Sequence, residues 1–350
     1  MLHLFRVPLL HTAGVDPTGW LWSDWRIEPT VAIGLLALVA GYLWLARHRP
    51  SSPLTANPPP LAPPPIAMGE GERLPPMDPA PLSLRKGRGA GGEGRWERGA
   101  GNSPTPVQKA AFLGGALTLF VALGPPLDDW SDHYLLSAHM VQHLLLIMLA
   151  APLLLYGTPG WMLAPLTRKG VTNAIGYGLT RPVVAFALAN AVLVVWHLPL
   201  LYDAALRSQP IHIVEHMTML GTALLAWWPI VGPLPQWPRL PLALHSVYFF
   251  AMTLPGSAVG AFITFAQPGL YAPYDTARRI FGIDLVTDQQ AAGLLMWVVV
   301  SAIYLLLLTI SFFRWVQREE AADAAEHAAA RPPAAPVTPP GEQRGARAAG

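Results

Sequence analysis

The chain has 350 residues, of which 52% are hydrophobic and only 13% charged, too little polar surface to solvate a globular domain of this length. Its formal net charge of +2 argues against nucleic acid, and the absence of cysteine removes disulfides, thiolate metal ligands and cysteine nucleophiles together. What remains is an all-α polytopic membrane protein, in which any soft-metal site must be built from His, Met or carboxylate.

The N-terminal stretch "MLHLFRVPLLHTAGVDPTGW" is broken by Pro, Gly and Asp before a signal-peptide core can form. Residues 1–29 are therefore expected to be an extracytoplasmic segment, and the first apolar run is expected to be retained. Against the roughly 20 residues needed to cross a bilayer, seven apolar runs qualify, near 30–46, 107–124, 133–156, 180–198, 211–231, 240–262 and 288–313. Arg47 and Arg49 follow the first run. Basic residues also fall in alternate loops: Arg85 to Lys109 before the second run, Arg168, Lys169 and Arg181 after the third, Arg239 after the fifth, and Arg314 and Arg318 after the seventh. The positive-inside rule then predicts seven spans with the N-terminus outside and the C-terminus cytoplasmic. Arg278 and Arg279 are the one basic pair against this scheme.

Residues 47–105 are rich in Pro, Gly and Arg, and the tail from 317 to 350 is rich in Ala and Pro. Both are expected to be disordered cytoplasmic segments, a linker and a tail around a six-span membrane domain at 107–316. The arginines of the linker read as topology determinants that touch anionic headgroups.

The third run carries "HMVQH" (His139, Gln142, His143) and the fifth carries "HIVEH" (His212, Glu215, His216). In a helix, positions i and i+4 lie about 40° apart and i and i+3 about 60° apart, so each trio is expected on one face. With the third span starting near 133, His139 lies roughly 9 Å and His143 roughly 15 Å along the helix. His197, in "VVWHLP", ends the fourth run at the same side, and Asp288 opens the seventh there. Asp128, Asp129 and Asp132 lie in the loop just above. Ionisable groups at membrane depth are costly and mark a functional site by default. The expected metal ligands are His139, His143, His212 and His216, with His197, Gln142, Glu215 and Asp288 as secondary ligands or supports. The bland alternatives are an interfacial His197, a helix-capping Asp288 and packing roles for Met140, Met217 and Met219.

Imidazoles with an occasional carboxylate suit copper, zinc or iron, and spacing alone does not choose among them. "HIVEH" also matches the H-x-x-E-H pattern of a zinc-protease group, but Gln142 stands where the matching trio would need a base. A haem b protein is a further alternative. Histidines one turn apart are less than about 6 Å apart along the axis, too close for two stacked macrocycles, so no haem is expected.

In this order, "WRIEPTVAIGLLALVAGYLW", "LLSAHMVQHLLLIMLAAPLLLYGTP", "VVWHLPLLYDAAL", "IHIVEHMTMLGTALLAWWPI" and "YAPYDTARRIFGIDLVTDQQAAGLLMW" resemble the multi-span CtaG-type cytochrome c oxidase assembly proteins found with caa-type oxidases. The resemblance covers about residues 20–46 and 107–316. It implies a non-enzymatic, multi-pass factor of the bacterial plasma membrane, needed to assemble a haem–copper oxidase and proposed to help copper reach it. Oxidase subunits and an extracytoplasmic copper donor are the implied partners. The 47–105 linker and the tail are additions to the family's pattern. A metal-free scaffold, in which the histidines only hydrogen-bond the bundle together, is the rival reading.

Overall fold

The computed structural model describes residues 29–48 and 103–330. The expected N-terminal segment, almost all of the 47–105 linker and the last twenty residues of the tail lie outside the described residues. Among the described residues all regular structure is helical. Helix α1 (Pro29–Arg47) is followed by α2 (Pro106–Ala122), which starts on a reciprocal cap: the Thr105 hydroxyl accepts from the Gln108 amide, and the Gln108 side chain accepts from the Thr105 amide. Tyr42 of α1 stacks on Phe112 and donates to the Gly157 carbonyl at 3.0 Å, so α1 and α2 run antiparallel.

Short α3 (Leu127–His133) turns the chain into α4 (Leu136–Leu144), which continues through a π turn at Leu145–Ala150 into α5 (Ala151–Gly157). The wide turn precedes Pro152, which has no N–H to return to the Met148 carbonyl. Helices α6 (Gly160–Arg168) and α7 (Gly170–Leu179) lie at the far end, and α8 (Pro182–Trp196) returns. After α9 (Pro199–Arg207) come the two long helices α10 (Gln209–Val231) and α11 (Leu242–Phe265). The small α12 (Ala272–Asp275) leads to α13 (Leu285–Leu294), a second π turn at Leu295–Val299, and α14 (Val300–Ala330). Asp284 caps α13 from outside the span, accepting from the Thr287 hydroxyl at 2.6 Å and from the Thr287 and Val286 amides, and these bonds, the hydroxyl's foremost, hold its carboxyl below the ordinary Asp range.

This order gathers α3, α9, α12 and the starts of α4, α10 and α13 at one end of the bundle. The basic residues Arg47, Lys109, Arg168, Lys169, Arg181, Arg239, Arg314 and Arg318 fall at the other end. Two small residues let α11 and α13 pack backbone to backbone. A Cβ on Gly260 of α11 would approach the Gly293 carbonyl oxygen to 2.7 Å, and one on Gly293 of α13 would approach the Gly260 oxygen to 2.6 Å. Backbone contact of this kind substitutes in lipid for the hydrophobic force that water would supply.

Four segments are long and apolar enough to cross a bilayer: Pro29–Arg47, Leu136–Gly157, Leu242–Phe265 and Leu285–Ala328. Six qualify if the bent pairs α2 with α3 (41°) and α7 with α8 (72°) each count as one. The seventh expected span, α10, is about 34 Å long at 1.5 Å per residue, but His212, Glu215, His216, Thr218 and Thr222 dilute its apolar content. The expected tail also differs, because α14 runs on to Ala330. Its "REEAADAAEHAAA" is built mostly from strong helix formers, which propagate a helix already nucleated in the span.

Candidate metal centre

The first turns of α4 and α10 face each other at the end of the bundle opposite the basic loops. His139, Glu215 and Gln142 are fully buried, and His143, His197 and His212 are nearly so. The His139 and His143 Nε2 atoms lie 2.9 Å apart, and Glu215 Oε1 lies 3.7 Å from the first and 3.6 Å from the second. The Glu215 distances are too long for hydrogen bonds. Both Glu215 oxygens lack a hydrogen-bond partner, as do His139 Nδ1, His143 Nδ1, His197 Nε2, His212 Nε2 and His216 Nε2. Buried polar atoms are normally paired, and an unpaired buried carboxylate is among the most expensive groups a protein can hold.

One of these atoms, Glu215 Oε1, shares a centre with two imidazole nitrogens. A point equidistant from His139 Nε2, His143 Nε2 and Glu215 Oε1 lies about 2.0 Å from each, which matches the roughly 2.0–2.2 Å bonds that metal ions make to imidazole nitrogen and carboxylate oxygen. A second set of ligand atoms, from His139, His212 and His216, lies mutually within 4.8 Å. His139 thus belongs to both sets, and its ring centroid is 5.6 Å from that of His212 and 5.8 Å from that of His216. His212 Nδ1 faces Asp132 Oδ2 at 3.5 Å, so that Nε2 is the nitrogen left to face the cluster; a carboxylate behind a ligating imidazole orients it in this way. His197 donates from Nδ1 to the Leu193 carbonyl at 2.7 Å and packs against His143, ring centroids 5.7 Å apart. The residues present fit a cation.

Six of the expected residues are brought together: His139, His143, His197, His212, Glu215 and His216. Two are not. Gln142 turns to α2 and α3, donating to the Ala122 carbonyl and to Asp128, both at 2.8 Å. It lies about 100° around α4 from His143, so it leaves the face that the two imidazoles share. Asp288 accepts from the Leu136 amide at 2.8 Å, the Ser137 amide at 3.0 Å and the Ser137 hydroxyl at 2.5 Å. It is a cap for α4, which has no side-chain cap from its own preceding residue. Glu215 reaches both imidazoles at nearly equal distance, closer in than a supporting residue.

Sequence reasoning missed Tyr202. It is fully buried, its ring centroid is 5.0 Å from that of His139, and it stacks on Tyr271 at 4.0 Å. Tyr271 donates to the His197 carbonyl at 2.9 Å, and Tyr274 donates to the Ser131 carbonyl. These three aromatics roof the cluster. The available signal was the repetition of Tyr in "LLYDAA" and "LYAPYD", two segments that the topology sends to one end.

Fold and site together define a multi-pass, all-helical membrane protein with a buried His and carboxylate cluster near one membrane face. The family model for the cytochrome c oxidase caa3 assembly factor, Caa3_CtaG, matches residues 90–318, more than half of the chain. The chain belongs to that family and is accordingly a cytochrome c oxidase assembly factor of the bacterial membrane. Comparison with curated proteins and with solved structures finds no match.

Proposed function

We propose that the protein carries a copper ion between His139, His143 and Glu215, with His212 and His216 as exchange ligands, and transfers it to an oxidase subunit without enzymatic turnover. The observation that carries this reading is the triangle of donor atoms, each about 2.0 Å from a common centre, with a buried carboxylate that has no other partner. Among first-row divalent ions, copper binds nitrogen and oxygen sites most tightly. Imidazole and carboxylate without thiolate keep such a site exchangeable. The positive-inside rule assigns the basic end to the cytoplasm; the cluster then faces an extracytoplasmic donor, and His212, beside Asp132 of α3, is on the side from which the ion arrives. The close packing of the rings, with centroids 4.2–5.8 Å apart, leaves no slot for a planar haem.

The test loads the detergent-purified full chain with copper and counts bound ions. His139→Ala/His143→Ala is expected to lose tight copper, and His212→Ala/His216→Ala to weaken it. Unchanged copper in both variants sinks the site, and a chain that assembles oxidase normally without binding metal establishes the scaffold reading instead. One observation favours hydrolysis: His139, His212 and His216 stand beside Glu215 as zinc ligands stand beside a base. Glu215→Gln separates the two by its effect on the metal: loss of a hydrolytic base leaves the ion bound and abolishes activity, whereas loss of a copper ligand weakens binding of the ion itself.

A further inference from the structure

Below the imidazoles the bundle holds a cavity of about 60 Å³, several times the roughly 10–15 Å³ that one water requires. Five of the chain's ten methionines line it. Met140, Met219, Met252 and Met296 come from α4, α10, α11 and the second π turn, and all four are buried. Met148, on the first π turn, is the fifth. Met217, two residues from Met219, points away and is 65% exposed. Methionine is the side chain best able to adapt to and fill a gap, yet here the gap persists with thioethers around it.

The cavity is continuous in its lining with the cluster above. His143 and His197 both line it. His143 has its Nε2 in the donor triangle and its Nδ1 unpartnered. His197 holds its Nδ1 proton on the Leu193 carbonyl, which leaves the lone pair on Nε2, and that atom is buried without a partner. A ring fixed by a carbonyl behind it is the usual setting of an imidazole ligand. Asn190, also in the lining, directs its amide to Met252 Sδ at 3.6 Å and so restrains that thioether.

We infer that this cavity is a second, soft-metal site, which takes monovalent copper on thioethers from Met219, Met252 and Met296 together with His197 Nε2. It rests on the copper reading above only for the route by which the ion arrives. Thioether sulfur is soft and selects Cu(I) against magnesium or calcium. All of these donors are neutral, so the charge of the ion is offset only by Glu215 on the other side of His143. Because the desolvation cost grows with the square of the charge, the site discriminates against divalent ions a second time. His143 stands between the two donor sets, so copper that is already monovalent at the imidazoles crosses with a ligand throughout and with no change of oxidation state, whereas a divalent ion stays at the imidazoles.

Silver(I), which is redox-silent, is the probe. The detergent-purified full chain is titrated with Ag(I), and in parallel with Cu(II), and bound metal is counted. X-ray absorption reads the atoms around silver. Wild type is expected to bind Ag(I) with a sulfur shell; Met219→Leu/Met252→Leu/Met296→Leu, a volume-conserving change, is expected to lose one silver and that shell while keeping Cu(II). Each single Met→Leu variant is expected to weaken Ag(I) binding about tenfold, which keeps the test decisive if the triple variant does not fold. The same silver count, affinity and shell in the variants overturns the inference. Failure of wild type to bind Cu(II), with sulfur-bound Ag(I) retained, overturns the imidazole-site reading and leaves this one standing.

Discussion

Asp288→Ala separates a ligand from a cap. The carboxylate accepts three hydrogen bonds across 151 and 152 residues of sequence, from the Leu136 amide, the Ser137 amide and the Ser137 hydroxyl. Asp288 is fully buried and Leu136 nearly so, so water does not replace the lost partner. Hydrogen bonds to a charged group contribute about 1.5–3 kcal/mol each, and a buried amide left unmet costs about 1–3 kcal/mol. With one amide buried and one half-buried, the expected destabilisation is about 2–5 kcal/mol, since the three bonds share one group and do not add in full. His139 follows Leu136 by three residues, so fraying of the first turn displaces His139 before His143. The assay is an unfolding titration in mixed micelles together with a copper count on the same preparation. The cap account requires a large loss of stability, weaker copper binding and unchanged stoichiometry; Asp288→Asn, which keeps one acceptor oxygen, is expected to fall between. Wild-type stability in Asp288→Ala, or a lost copper equivalent in a variant that remains folded, refutes the reasoning.

Glu215→Gln keeps the volume and removes the anion from the donor triangle, so copper affinity is expected to fall at least about 10–100-fold, the effect of losing even a supporting partner. The measurement is competition with a chelator of known affinity; unchanged affinity removes Glu215 from the ligand set. Gly293→Ala places a methyl 2.6 Å from the Gly260 carbonyl oxygen and the Thr264 amide nitrogen. Backbone atoms cannot rotate aside, so α11 and α13 must separate at an expected cost of about 1–3 kcal/mol, read by the same unfolding titration. Gly221→Ala on α10 is the control: a Cβ there meets nothing within 4 Å, so the variant is expected to be neutral or slightly more stable than wild type, as alanine suits a helix interior better than glycine.

The helices and the two histidine pairs were legible because their signals are local. Apolar runs of bilayer length mark spans, and i, i+4 spacing puts His139 with His143 and His212 with His216 on shared faces. The roles of Gln142 and Glu215 were not legible, because "HMVQH" and "HIVEH" are alike in spacing but differ in which neighbour each helix face meets. Glu215 looks across to α4, whereas Gln142 looks to α2 and α3. Asp288 shows the same limit: a carboxylate at a helix start reads as its own cap, and only the fold assigns it to α4 while Asp284 caps α13. The status of α10 as a span was obscured by the site itself, since the polar face that builds the cluster is what lowers its apolar content.

The two π turns explain how this cluster is held. A π turn widens the helix by one residue and frees a carbonyl from the regular ladder. In the first of them, the Ile147 carbonyl accepts from the Trp227 indole of α10 at 2.8 Å. Helices α4 and α10 are therefore tied below the imidazoles by this bond, while above them Asp288 fixes the start of α4 and Asp132 faces His212 of α10. The second π turn carries Met296 into the cavity that the first borders with Ile147 and Met148. Irregular backbone at this depth survives only where protein satisfies it, and here the group that satisfies it also sets the spacing of the two helices that supply the donor atoms.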